Sequence, residues 1–423
     1  MIMISFLASL NNCIMRKLLI LGILLFSYTD YSKADTLSDA VFVYEQISFS
    51  EKELSQKEKN YCKIIGFLPE TDTTKVLCIP STTFINGNKY RIISIGPNAF
   101  KNNHAIEKVT IENGIKTIES GAFKQCYNLR EIIIPRSISS VEPYAFSACV
   151  SLKEISFHKG LVSIGSHAFE FCKRLEKINL PTKGLERIGE FCFRGCHLLQ
   201  DIRIPNGIHE IEFCTFRNCK SLKKISFPKT LQTIQPHSFE CCVSLKYIFL
   251  PSDLDSIGDY AFDRCHSILN ILVSNSNKRY CSINNCLIDK ATESIILGCQ
   301  TSVIPQTSSI KYINKHAFNG IYNLKKIIIP ANIKEIGTAA FYKCYDLESV
   351  QLNNGLQKIG DLAFSYCYNL KSPIIPESVS FIGEDAFRWN IQEQQSQNPM
   401  SNTFIFNLES DDYDPEEYWL DDL

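Results

Sequence analysis

Apolar and polar positions recur in a fixed order along most of this chain. From Leu129 to Cys149 it reads L-R-E-I-I-I-P-R-S-I-S-S-V-E-P-Y-A-F-S-A-C. The same arrangement returns with its Phe at Phe100, Phe123, Phe146, Phe169, Phe193, Phe216, Phe239, Phe262, Phe318, Phe341, Phe364 and Phe387. The spacing is 23 residues, with a single 24 and a single 56 that equals 23 plus a 33-residue insertion. Such a period marks a solenoid, in which no copy can bury its apolar edge alone and each stacks on its neighbours. Within a copy, L-x-x-I-x-I places Ile132 and Ile134 on one face of a strand, because strand side chains alternate. Leu152, Ile155 and Phe157 repeat the pattern, as do Leu222, Ile225 and Phe227. Pro135 and its equivalents end the strand, since proline cannot donate to a ladder. Two more apolar residues follow, three apart, and then the Phe. That stretch predicts a bend and a 3₁₀ or one-turn corner that drops Phe into the core. The expected fold is a repeat solenoid with a parallel β-sheet on the concave face and short turns on the other. Neighbouring strands should lie roughly 4.8 Å apart, so about a dozen coils form an arc on the order of 60 Å.

The pattern L-x-x-I-x-I-P-x-x-I-x-x-I-G-x-x-A-F-x-x-C resembles the BspA-type leucine-rich repeat, a class common in bacterial surface proteins and expanded in some protozoan parasites. The resemblance runs from Asn88 to Arg388, and Cys286 to Pro305 resembles an insertion that such proteins carry between repeats. Departures are local. Asn103, Ile321 and Asn390 stand where the repeat has Cys, and Pro373 replaces the second apolar residue of a strand. The resemblance implies adhesion or recognition at the cell surface, directed at a protein of a host or neighbouring cell or its matrix, without catalysis. The alternative is a non-adhesive scaffold that holds partner proteins in the envelope or inside the cell.

Segments outside the repeat complete the organisation. Residues 1–34 read as an export signal with its core at 15–34. Met15-Arg16-Lys17 is basic, Leu18 to Phe26 is apolar, and Ser32-Lys33-Ala34 has the form of a cleavage site. The apolar run is too short to span a membrane. Residues 35–88 are expected to form a β-rich cap with a hairpin turn at Asn86-Gly87. The solenoid occupies 89–388, with a β-hairpin inserted at about 274–305. Residues 389–423 read as an acidic, disordered tail.

Charge adds one asymmetry. The 423 residues carry a net charge of −1, which gives no argument for nucleic acid. No Lys or Arg follows Arg388, while nine acids do; removing these from 45 leaves 36 against 44 basic residues, so residues 1–388 are about +8. No Asn-x-Ser/Thr sequon occurs, which favours a bacterial source.

The candidate chemistry is sparse. Cys126, Cys149, Cys172, Cys196, Cys219, Cys242, Cys265, Cys344 and Cys367 lie three residues after the repeat Phe. A row with one thiol per coil does not converge on a metal, so these are read as buried packing residues. Cys62 with Cys78, and Cys281 with Cys286 and Cys299, are better placed for disulfides. His167, His237 and His316 share a tolerant position two before the Phe. No metalloprotease, nucleophile-elbow, phosphate-loop or dinucleotide motif is found, and no cofactor or metal is expected. Side chains on the outward face of the strands are mostly polar. Tyr247, Phe249 and Leu272 break that rule on adjacent coils, near Lys224 and Lys326, and form the candidate partner site. The competing expectation is that the inserted hairpin covers them.

Overall fold

The structure, a computed structural model, describes residues 23–25, 42–47, 61–67, 74–85 and 88–388. Strands and turns build it, and no helix forms among the described residues. The chain divides into two compact units, Met1–Phe239 with Leu250–Ala261, and Glu240–Phe249 with Phe262–Leu423.

In the first unit each coil contributes one strand to each of two parallel sheets. The longer strands are Lys108–Ile111, Glu131–Ile133, Glu154–Ser156 and Lys177–Asn179, side by side, with Val76–Ile79 beyond the first of them. Alternation decides what each residue does: Ile132 and Ile134 are buried while Glu131 and Ile133 face outward. The second sheet was not expected from the sequence. Thr117–Ile118, Ser140–Val141, Ser163–Ile164 and Arg187–Ile188 pair in parallel where a bend was read. Two-residue strands carry no alternation long enough to recognise. The corner beyond them is a turn and contains no 3₁₀ segment.

That corner has its own hydrogen-bond ladder. The residues two before and two after each repeat Phe take left-handed backbone angles, as at Tyr144 (φ 60°), Ala148 (φ 58°), His167 (φ 58°) and Phe171 (φ 56°). For residues other than glycine this costs about 1 kcal/mol or more each. Hydrogen bonds between coils compensate. Tyr144, Phe146 and Ala148 donate their N–H groups to the carbonyls of Ser166, Ala168 and Glu170 on the next coil, at 2.7–3.0 Å. His167, Phe169 and Phe171 repeat the set onto Glu190, Cys192 and Arg194. Rings at the left-handed position also stack across coils, with His167 4.4 Å from Tyr144 and 4.7 Å from Phe191. The shared histidine position is therefore a stacking site at a turn.

The core is a spine of phenylalanines. Successive rings from Phe100 to Phe239 stack at 5.2–5.6 Å. Beside it, the Cys126, Cys149, Cys172, Cys196 and Cys219 thiols each point at the carbonyl of the preceding coil's Phe, at 3.1–3.2 Å. A small apolar side chain with a weak donor fits this place better than Ala or Ser would. The coil with the 24-residue spacing interrupts the order: both sheets break between it and the next coil, and the Phe169–Phe193 distance, 5.6 Å, is the widest in this spine.

The strands ahead of the first coil merge into these sheets. Phe42–Ile47 pairs antiparallel with Tyr61–Phe67, which pairs parallel with Asn88–Ile95. Thr82–Ile85 folds back on Asn88–Ile95, with Ile85 opposite Asn88; the turn pair Asn86-Gly87 lies outside the described residues, as does most of the export segment. Of the latter, Ile23–Leu25 pairs with Phe42–Ile47.

The second unit repeats the plan. Its longer strands are Tyr247–Leu250 (all but the last residue), Asn270–Val273, Lys326–Ile329 and Ser349–Leu352. Tyr312–Ile313, Glu335–Ile336, Lys358–Ile359 and Phe381–Ile382 form the short-strand sheet. Phe318, Phe341 and Phe364 are fully buried, stacked at 4.8 and 5.0 Å. Phe262 is also buried. The insertion differs from the expected hairpin in having three strands, Tyr280–Ile283, Cys286–Asp289 and Ser294–Leu297, in antiparallel order. It joins the short-strand sheet, because Ser294–Leu297 pairs in parallel with Tyr312–Ile313.

Candidate recognition face

Inward positions are consumed by the core, so a ligand can be met only by outward positions, corners and ends. In the first unit the outward face is mostly polar, Ile133 at 47% exposed being an exception, and its charges are internally matched. Lys108 reaches Glu131 at 2.9 Å, Lys177 approaches Glu154 at 3.8 Å, and Asn179 donates to Ser156 at 2.8 Å. Lys224 belongs to this unit, beside Asp201 on the neighbouring strand. With Gln200, Ile202, Arg203, Lys223 and Ser226 the two line a shallow pocket.

The second unit places different chemistry on the same positions. Tyr247, Phe249 and Leu272 are 50%, 55% and 55% exposed, so the insertion does not cover them. Strand alternation puts them outward while Ile248, Leu250 and Ile271 fill the core. The bond from Leu269 N–H to the Lys246 carbonyl, 2.9 Å, holds the two coils in register.

The insertion then supplies a residue that the sequence reading missed. Ser302 and Ile304 are buried, Val303 between them is 63% exposed, and Pro305 follows. This is the outward residue of a coil that lacks the Phe marker. Thr301 donates to the Leu269 carbonyl at 2.7 Å on one side, and Asn332 donates to the Pro305 carbonyl at 3.2 Å on the other. Val303 donates its N–H to the Asn284 carbonyl of the insertion at 3.1 Å, and in the sequence pattern it takes the outward place that Leu272 holds on one coil and Ile328, 51% exposed, on another. The signal in the sequence is S-V-I-P, which repeats the end of the strand pattern without the rest of it. Phe249, Leu272, Val303 and Ile328 thus form an apolar row, flanked by Tyr247, Asn270 and Lys326. Of the residues named from sequence, Tyr247, Phe249 and Leu272 share this outward face; Lys326 precedes Ile328 by two on its strand, and Lys224 lies on the strand Lys224–Ser226 of the first unit.

An exposed apolar row of this kind can desolvate against a partner. Fully burying each such side chain is worth about 1.5–3 kcal/mol, and aromatic anchors with a basic rim have the composition of binding hot spots. Nothing in the row is suited to acid–base or nucleophilic work.

Titratable groups elsewhere are engaged in structure. In the first unit Glu170 is buried between His167 Nδ1 at 2.8 Å and Arg194 at 3.2 Å, and Arg194 lies over the rings of Phe171 and Phe191. Desolvation by burial pushes the thiols of Cys149, Cys172, Cys196, Cys219, Cys265, Cys344 and Cys367 upward, Cys344 to about 12. The off-ladder cysteines are free thiols as well: Cys62 is buried and Cys78 exposed, while Cys286 and Cys299 are buried and Cys281 half-buried. Among the described residues no group of three or more His, Cys, Asp or Glu side chains could hold a metal ion, and no helix is long and apolar enough to cross a membrane.

Comparison with known proteins bears on the repeat itself. The BspA type leucine-rich repeat region matches in six copies over residues 93–200, 186–292 and 279–393. Among solved structures, a leucine-rich cell surface protein from Faecalibacterium prausnitzii superposes with a TM-score of 0.58 at 22% identity, covering 86% of this chain and 92% of its own. A leucine-rich repeat protein from Bacteroides ovatus gives 0.55 at 24% identity, covering 84% and 92%. At these identities the likeness is one of fold. No curated protein matches the chain. Phenylalanine spine, cysteine ladder and parallel sheets recur in step across the matched residues, and the chain belongs to the BspA-type leucine-rich repeat family.

Proposed function

We propose that this is an exported protein that recognises another protein at the cell surface through the outward face of its second unit, without catalysis. The observation that carries this reading is the apolar row Phe249–Leu272–Val303–Ile328, exposed beside the polar Asn270, Lys326 and Gln351, with Ile374, 89% exposed, in the same outward place on a later coil. Stacked coils hold the row rigid before any partner arrives, so little ordering entropy opposes binding. The partner is a surface or matrix protein of a host or neighbouring cell, and it must bring its own apolar residues to bury the row.

Two experiments test the reading. The protein, immobilised and screened against surface and matrix proteins, should bind a partner that Tyr247→Ser with Phe249→Ser weakens at least tenfold, while the melting curve stays in place. A matching loss of stability would assign the pair to the core instead. N-terminal sequencing of the native protein should give a start at Asp35 in the medium or surface fraction. A start at Met1 or Met15 inside the cell would remove adhesion from consideration and leave the scaffold reading.

A further inference from the structure

Among the described residues of the first unit, one junction between coils lacks the backbone bonds that join the others. At every other junction two bonds tie the short strands together. Glu186 and Gly189 donate to the Val162 and Ile164 carbonyls at 2.8 and 2.9 Å, and Gln232 and Gln235 donate to those of His209 and Ile211 at 2.8 and 2.9 Å. Between these two junctions the equivalent donors are the N–H groups of His209 and Glu212, and they make no such bond to Glu186 and Ile188. The longer strands part at the same place. Lys177–Asn179 ends one sheet and Asp201–Arg203 begins another.

The corner is whole where the sheets are open. Phe191, Phe193 and Gly195 donate across this junction to the carbonyls of Phe213, Thr215 and Arg217 at 3.0, 2.9 and 2.9 Å. Phe193 also stacks on Phe216 at 5.4 Å. The two coils are therefore bonded along one edge and unbonded along the other two. The added residue of the 24-residue coil lies beside the opening. Leu161 follows Ile155 by six residues, whereas Leu185 follows Ile178 by seven, which puts the extra one within 181–184. At that bend Gly207 of the next coil presses so closely on the Leu185 carbonyl that a Cβ at 207 would overlap it.

A side-chain pair spans the short-strand edge in place of the missing bonds. Arg187 is bidentate on Glu212, with Nε 2.8 Å from Oε1 and Nη2 3.1 Å from Oε2. The geometry of such a pair is specific. The Arg187 side chain is 58% exposed, however, and exposed pairs are weak enough to break and re-form.

We infer that this junction is a latched hinge within the first unit. The coil that holds Asp201–Arg203 swings about the corner bonds, the two sheet edges open and close, and the Arg187–Glu212 pair favours the closed form. Hinge motions of this kind fall in the microsecond-to-millisecond range, which methyl relaxation dispersion reads. Dispersion in the full chain should appear at the methyls of Ile188 and Ile211, which face each other across the opening, and be absent at Ile118. Arg187→Ala should enlarge it about threefold, as should Glu212→Gln. Lys108→Ala, which removes the pair with Glu131 at a bonded junction, should leave it unchanged. Hydrogen exchange at the Phe193 and Gly195 amides should stay as slow as at Phe146, because the corner does not open. Flat profiles at Ile188 and Ile211 in both the unaltered chain and the Arg187→Ala chain would overturn the inference. So would faster exchange at Phe193 and Gly195 than at Phe146, which would mean that the coil unfolds instead of swinging. Neither readout depends on a partner for the apolar row.

Discussion

The outward faces of the two units are built on the same repeat and differ in chemistry. On the first, Lys108 meets Glu131 and Glu154 meets Lys177, so charge is matched within the face and solvent does the rest. On the second, Phe249, Leu272, Val303 and Ile328 stand exposed with no such matching. The same strand alternation buries Ile132 in one and Ile327 in the other. Inward positions hold the fold, and outward ones are free to specialise, because changing them removes no core contact. Two carboxylates set back from the surface differ in a parallel way. Glu170 in the first unit has Arg194 and His167, whereas Asp263 in the second is bonded to an amide, Asn319 Nδ2 at 2.7 Å.

If inward and outward positions are as distinct as this, the largest contrast should appear in thiol chemistry. Burial pushes Cys344 up to about 12 from 9.0, so its thiolate population at neutral pH falls about 1000-fold relative to a free thiol. Native alkylation should leave Cys344 unmodified while the exposed Cys78 reacts, and unfolding without reductant should release every ladder thiol; failure of that release would mean bridged sulfurs. Next in size, Phe341→Ala should cost about 3–5 kcal/mol in denaturant unfolding, against about 0.5 kcal/mol or less for Phe249→Ala. Similar losses at both would erase the distinction.

The Asp263 carboxyl offers a smaller effect with a defined sign. Desolvation by burial pushes it up to about 6 from 3.8, with Glu240 adding and Asn319 opposing. The folded chain then holds this proton more tightly than the unfolded one. Stability it contributes is present below about pH 4 and is lost as the pH rises through about 6. Asp263→Asn should therefore raise stability at pH 7 by up to about 3 kcal/mol, a gain that fades by pH 4. A flat difference between pH 4 and 7 would exclude the titration. The smallest effect belongs to the exposed pairs: Glu131→Gln should cost about 0.5 kcal/mol or less, and 1 M salt should abolish the loss.

What the sequence made legible follows from side-chain periodicity. The Phe and Cys columns, the longer strands and their inward and outward residues all repeat at 23 and could be read directly. The second sheet could not, because Ser140–Val141 and its kin are too short for alternation to show. Nor could the left-handed corners, which His167, Phe191 and Tyr144 occupy without a glycine to mark them; their stability comes from hydrogen bonds and stacking between coils. Of the candidate face, Tyr247, Phe249 and Leu272 were visible as violations of polarity. Val303 was hidden because its coil keeps only the end of the pattern.

The corner ladder gives the stack a direction: N–H groups at the turn face the following coil and carbonyls face the preceding one. Every coil therefore offers its successor the same donors that its predecessor offered to it. An in-frame duplication or loss of 23 residues leaves each junction matched, whatever side chains the outward positions carry. A duplication out of frame meets the fate of the 24-residue coil, where both sheets part. Coil number can thus drift between descendants of one gene in whole steps, and each new coil arrives with outward positions already open to selection.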